Sequence, residues 1–144
     1  MLSITTSTTS NEIDQTCVSV VIAAKPDRMR DSLRWLLKIK PWLKVVGEAN
    51  QSDEVVDMVN QYHPDLVILD TNLPSEESWI TILETAKTNC SQTRYLILTD
   101  TTQNAHLAEL ARADAVLHKG FTLTRLFSVI ETMFFTNTQP LSVR

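Results

Sequence analysis

Five short apolar runs recur along this chain, each separated from the next by a stretch of helical periodicity, and that alternation leaves few folds open. The runs are residues 18–24 (VSVVIAA), 44–49 (KVVGEA), 65–70 (DLVILD), 94–99 (RYLILT) and 115–118 (AVLH). They are short, rich in β-branched residues and largely unbroken by polar positions, which suits strands buried on both faces rather than strands with one wet side. Between them, Asp27 opens a helical pattern in which Met29, Leu33, Leu36 and Leu37 share a face, and Pro41 stops it. Ser52 is placed to cap a second helix, with Asp53 and Glu54 in the first turn, where the helix dipole favours carboxylates. Val55, Val56, Val59 and Tyr62 form its inner face. A third helix over 78–87 turns Ile80, Leu83 and Ala86 inward, and a weaker alanine-rich one covers 103–112. In the last helix Leu123, Leu126, Phe127, Ile130, Met133 and Phe134 make one continuous stripe.

Strands and helices in strict alternation imply βαβ units and an all-parallel sheet with helices on both faces. Right-handed crossovers then predict an α/β, doubly wound, five-stranded sheet with five helices in the flavodoxin-like order 2-1-3-4-5. At 144 residues the chain makes one domain. The pattern occupies residues 17–136. Residues 1–16 read as a Ser/Thr-rich disordered tail, and 137–144 as a tail or the start of a linker. Only Gly47 and Gly120 are glycines, so no glycine-rich phosphate loop can be written. The net charge of −4 argues against direct nucleic-acid binding over the whole surface. Cys17 and Cys90 read as unpaired thiols, and His63, His106 and His118 are too scattered for zinc. No apolar stretch is long enough for a membrane span and no signal peptide is visible, so a cytoplasmic setting is expected.

In a sheet of this kind ligands sit beyond the carboxyl ends of the strands. Strand 1 ends in Ala24-Lys25, strand 3 in Asp70, strand 4 in Thr99-Asp100 and strand 5 in His118-Lys119. Asp70 would therefore lie beside Lys25 and Lys119. At about 4 Å and an effective dielectric of about 20, such a pair attracts by roughly 4 kcal/mol before desolvation is counted. Read from spacing, the group is either a structural ion pair closing the sheet edge or a functional site.

With VVIAAKPDRMR, VVGEA, PDLVILDTNLP, YLILTD and ADAVLHKG in this order, the chain resembles the receiver domain of bacterial response regulators of the LuxR/NarL type. The resemblance implies that Asp70 is the aspartate that accepts a phosphoryl group from a histidine kinase. It implies that Thr99 hydrogen-bonds that group, that Lys119 pairs with the aspartate and then the phosphate, and that the Asn72 carbonyl contributes to Mg²⁺. The match departs from the family at Ala24 and Lys25, where two acidic residues ordinarily hold Mg²⁺, a hard ion that wants oxygen ligands. It departs again at Asp100, where a small residue is usual, at Val116, where an aromatic switch residue is usual, and at Gly120, where proline is common. Ser75, Ser78, Arg112 and Ala115 stand where the family commonly has glycine.

These departures predict an atypical receiver: a signalling and interaction module, not an enzyme, without Mg²⁺-dependent phosphorylation. Lys25, Asp70 and Lys119 would form a standing ion-pair cluster, with Lys25 in the metal's place. No cofactor is expected. Output would run through homodimerisation, on the face made by the fourth helix, fifth strand and fifth helix, or through another signalling protein. The alternative is a conventional receiver phosphorylated on Asp70 by a histidine kinase, with Mg²⁺ held weakly by Asp70, Asn72 and Asp27, controlling a transcriptional output domain outside this chain. Asp27 is otherwise the cap of the first helix. An enzyme using Asp70 and Lys119 as base and acid has less support, since no cofactor loop accompanies it. Arg28, Arg30, Arg34 and Lys38 read as a solvated face, His118 as partly buried, Trp35 as lying off the apolar stripe, and Phe135 as a dimer contact.

Overall fold

In the computed structural model, residues 17–135 are described; the expected tails lie outside them. The elements run β1 (Val18–Ala23), α1 (Arg28–Leu37), β2 (Leu43–Ala49), α2 (Ser52–Tyr62), β3 (Leu66–Asp70), α3 (Trp79–Asn89), β4 (Arg94–Thr99), α4 (Thr102–Leu110), β5 (Ala115–His118) and α5 (Leu123–Phe135). The strands pair in parallel in the order β2-β1-β3-β4-β5, as the sequence predicts. Among the described residues no helix is long and apolar enough to cross a membrane.

The two faces of the sheet carry two separate cores, because side chains alternate along each strand. On one face Val20, Ile22, Leu66, Ile68, Leu96 and Leu98 meet Leu33 and Leu37 of α1 and Leu126, Phe127, Ile130 and Met133 of α5. On the other, Val21, Ala23, Val67, Leu69, Tyr95 and Ile97 meet Val55 and Val59 of α2, Ile82, Leu83 and Ala86 of α3, and Ala108 of α4. Every residue of β3 is buried, which is why that strand reads as a continuous apolar run.

Helix starts follow side-chain capping. Asp27 accepts from Arg30 N, Ser78 from Ile80 N and Thr101 from Asn104 N. The exception is α2. Its cap is Gln51, without a side-chain bond, and Ser52 is the first helical residue. Ser52 is withdrawn from capping because its N–H donates to Pro74 O and its hydroxyl meets that of Ser75. In α3 the inward residue is Ile82 rather than Ile80, which is only partly buried. Tyr62 is 43% exposed because its ring lies over Gly47 at the sheet's rim.

A register shift in β2 decides where its charges go. Val20 pairs with Val45, but Val21 pairs with Gly47, so Val46 is a bulge. Each later side chain of β2 is thereby moved to the opposite face. Gly47 comes under α2, where a Cβ would lie 3.1 Å from Met58 Sδ. Glu48, paired with Ile22, comes under α1. There its carboxylate pairs with Arg34 through Nε, and Arg30 Nε lies 3.3 Å away. Arg34 also reaches Asp31 at 3.0 Å.

The hydrogen bond from Arg34, reinforced by the charge of Arg30, holds the Glu48 carboxyl below the usual glutamate range against the opposing effect of burial. A depressed folded value means that the stabilisation is present above the unfolded pKa of about 4.3 and is lost as pH falls through the folded one. Glu48→Gln is expected to flatten the pH dependence of the urea midpoint below about pH 4.3 and leave its slope between about pH 6 and 8 unchanged. Arg112 takes φ 66, in the left-handed region that favours glycine. Arg112→Gly is expected to raise unfolding stability by about 0.5–1 kcal/mol, read from the same titrations.

Candidate functional site

The carboxyl edge of the sheet is laid out by backbone bonds that continue past the strand ends. Thr71 N donates to Leu98 O at 3.0 Å, and Lys119 N to Thr99 O at 2.8 Å. These contacts bring the residues after β3, β4 and β5 to one level. Asp70 is 2% exposed. Its Oδ1 accepts from Lys119 Nζ at 2.8 Å and from Asn72 N at 2.9 Å. Its Oδ2 accepts no hydrogen bond among the described residues. Lys119 is held at this level by its own N–H on Thr99 O, and Gly120 after it takes a φ of +91, which is closed to proline.

Thr99 is fully buried and shares this level, one residue past Leu98, the register partner of Asp70. Its hydroxyl is turned away from Asp70: Oγ1 donates to Thr101 O at 3.3 Å and accepts from Thr101 N at 3.2 Å. Asn72 joins the two loops, its Nδ2 donating to Asp100 Oδ2 at 3.3 Å. Asp100 itself is exposed, as is His118, which was expected to be partly buried.

Lys25 does not complete the expected cluster. It is exposed, and among the described residues it makes no ion pair with Asp70, whose only such partner is Lys119. Ala23 pairs with Leu69, so the residue in step with Asp70 is Ala24, and Lys25 lies one position further on. Asp27 is committed elsewhere, its Oδ1 accepting from Arg30 N at 3.2 Å.

The cation that does reach the end of β1 is Arg30, which the sequence placed on a solvated face. Its guanidinium is buried, donating from Nη1 to Ala24 O at 3.1 Å and also to Asn50 Oδ1. Helical spacing carried the missed signal: Arg30 is three residues before Leu33, on the core side of α1. Trp35, at 64% exposed, does lie off the stripe, with Lys38 Nζ 4.7 Å from its ring centre. Phe135 packs edge-on against Trp42 at 5.0 Å.

Chemically, the edge presents a nearly buried carboxylate with one oxygen neutralised and the other open. Among the described residues no group of three or more His, Cys, Asp or Glu is arranged to hold a metal ion.

The response regulator receiver domain family matches residues 20–131 of this chain. Among curated relatives, a protein-glutamate methylesterase/protein-glutamine glutaminase of Syntrophomonas wolfei is 36% identical over 67 residues, 46% of this chain and 19% of that protein. The transcriptional regulatory protein DegU of Brevibacillus brevis is 23% identical over 65 residues, 45% of this chain and 28% of that protein. The matched segments thus span under a third of these relatives. Among solved structures, a LuxR-family DNA-binding response regulator from Staphylococcus aureus superposes with TM-score 0.72 at 19% identity, covering 81% of this chain and 98% of that one. A LuxR-family two-component response regulator from an Aurantimonas species gives 0.73 at 23% identity, covering 81% and 84%. At these identities the structures share the fold. With the family pattern matched from β1 into α5, the chain belongs to the response regulator receiver domains of two-component signalling systems.

Proposed function

We propose that this is an atypical receiver, which signals through one standing conformation and its protein contacts, without Mg²⁺-dependent phosphorylation of Asp70. One observation carries the reading: the carboxyl end of β1 offers Ala24 and Lys25, and the buried guanidinium of Arg30 is bonded to the Ala24 carbonyl. Mg²⁺ requires near-octahedral oxygen donors, and carboxylates bind it best. Asp70 and the Asn72 carbonyl are too few, the Asp27 carboxylate caps α1, and the nearest added charges are positive. This donor set does not fit the ion. Lys119 instead neutralises Asp70 permanently, in the manner of a structural ion pair. Lys25, exposed beside this edge, adds positive charge without a bond to Asp70.

Output through a homodimer, on the face of α4, β5 and α5, is supported by two leucines left in solvent on its helices, one at the end of α4 and one at the start of α5. Leu110 is 66% and Leu123 40% exposed. We read the domain as a signalling module rather than an enzyme, acting in the cytoplasm on a partner or on an output domain.

Incubation with acetyl phosphate and Mg²⁺, followed by intact-mass measurement, is expected to give no phosphate adduct. A stoichiometric adduct that disappears in Asp70→Asn would overturn the proposal in favour of a conventional receiver phosphorylated by a histidine kinase. The standing pair has its own test. Lys119→Met strands a nearly buried carboxylate and is expected to lower stability by about 1–3 kcal/mol, less than a fully buried pair because Lys119 is partly exposed. Asp70→Asn combined with Lys119→Met is expected to recover part of that loss in a double-mutant cycle.

A further inference from the structure

The opposite edge of the sheet holds a second chemical cluster. Two helices end side by side there. His63 closes α2 in the left-handed conformation, φ 46, with its N–H donating to Val59 O. Cys90 closes α3, with its N–H donating to Ala86 O. The Cys90 sulfur lies 4.0 Å from His63 Nδ1 and 3.1 Å from Thr93 Oγ1. Both side chains line an open cavity of about 330 Å³, with Pro64, Asp65, Gln92 and Thr93.

The surroundings of that sulfur favour a negative charge. The Thr93 hydroxyl, then His63, and after them the backbone N–H groups of Thr93 and Gln92 hold the Cys90 thiol below the ordinary cysteine range against the opposing effect of burial. The Thr93 hydroxyl has one proton and a closer acceptor in Pro64 O at 2.7 Å, so the imidazole and the amides matter more than its distance suggests. The carbonyl end of α3 works against a thiolate. Asp65, the carboxylate in the cavity, is bound to Ser19 N at 2.9 Å and faces β1. The fully buried Tyr95 hydroxyl has no partner among the described residues, and the charge of Cys90 is felt there. Asp114, the other charge felt by Tyr95, is bonded to its N–H at 2.8 Å.

We propose that Cys90, paired with His63 in this cavity, is a modification site that takes up small thiols as mixed disulfides. In the exchange, the Cys90 thiolate attacks one sulfur of a low-molecular-weight disulfide. A new S–S bond forms to Cys90, the old one breaks, and the departing thiolate takes up the proton that Cys90 passed to His63. Cys90 is oxidised and the departing sulfur reduced, so no other oxidant is needed. Cys17, outside this cavity, serves as the internal reference thiol.

The test uses two full-length single-cysteine chains, Cys17→Ser and Cys90→Ser, labelled with dithiobis(nitrobenzoate) across pH. Cys90 is expected to label fully in the native protein. Its rate should show a midpoint below the usual cysteine value of about 8.5 and exceed that of Cys17 at pH 7 by about threefold or more. His63→Asn in the Cys17→Ser background keeps a residue suited to the left-handed position and is expected to move the midpoint up and slow labelling at pH 7. Equal rates for the two thiols in urea-unfolded protein are expected if the fold is the source of the difference. A native midpoint at or above about 8.5, or a profile unchanged by His63→Asn, would overturn the proposal.

Discussion

A carboxylate at the end of a strand buried on both faces must find its compensation at the sheet edge, and this requirement organises the receiver. β3 is enclosed by both cores, so Asp70 cannot swing into solvent. The ammonium of Lys119 and the amide of Asn72 neutralise one of its oxygens. Lys119 reaches it because β5 pairs with β4 in register and sets the Lys119 N–H on Thr99 O. Placement of the site is therefore a consequence of sheet register, and any slip in β4 or β5 would leave a buried charge unpaired.

Positive charge reaches the carboxyl end of β1 by a route that strand sequence does not reveal. Lys25 follows the strand and is exposed, whereas Arg30 comes from α1 and lies buried against Ala24 and Asn50. The same guanidinium approaches Glu48, which faces α1 only because Val46 is bulged out of β2. A single inserted residue thus links the edge strand to α1 and α1 to the candidate site. The proposed loss of metal-dependent switching is consistent with this arrangement, in which fixed cations replace a coordination sphere.

Much of the fold was legible because its signals are local. β-branched runs, the capping residue Asp27 and the stripe of α5 each act within one or two turns. Asp70, Thr99 and Lys119 were legible for a related reason, since strand ends define the ligand edge in every parallel sheet of this kind. Arg112, read as standing where a glycine is common, does adopt a positive φ. What misled was distance in space. Ser52 looked like a cap, but the loop after β3 claims its hydroxyl. Lys25 looked adjacent to Asp70, but the register puts Ala24 in step with it and leaves Lys25 one residue beyond.

Sequence alone determined the α/β order, the five strands, the two cores and the residues at the carboxyl edge, since periodicity and end signals are properties of contiguous segments. Tertiary structure decided the burial of Arg30, the exclusion of Lys25 from the Asp70–Lys119 pair, the face taken by Glu48 and the meeting of His63 with Cys90. Those depend on register, on one bulge and on where two helices end, and none of these is written in the residues that they bring together.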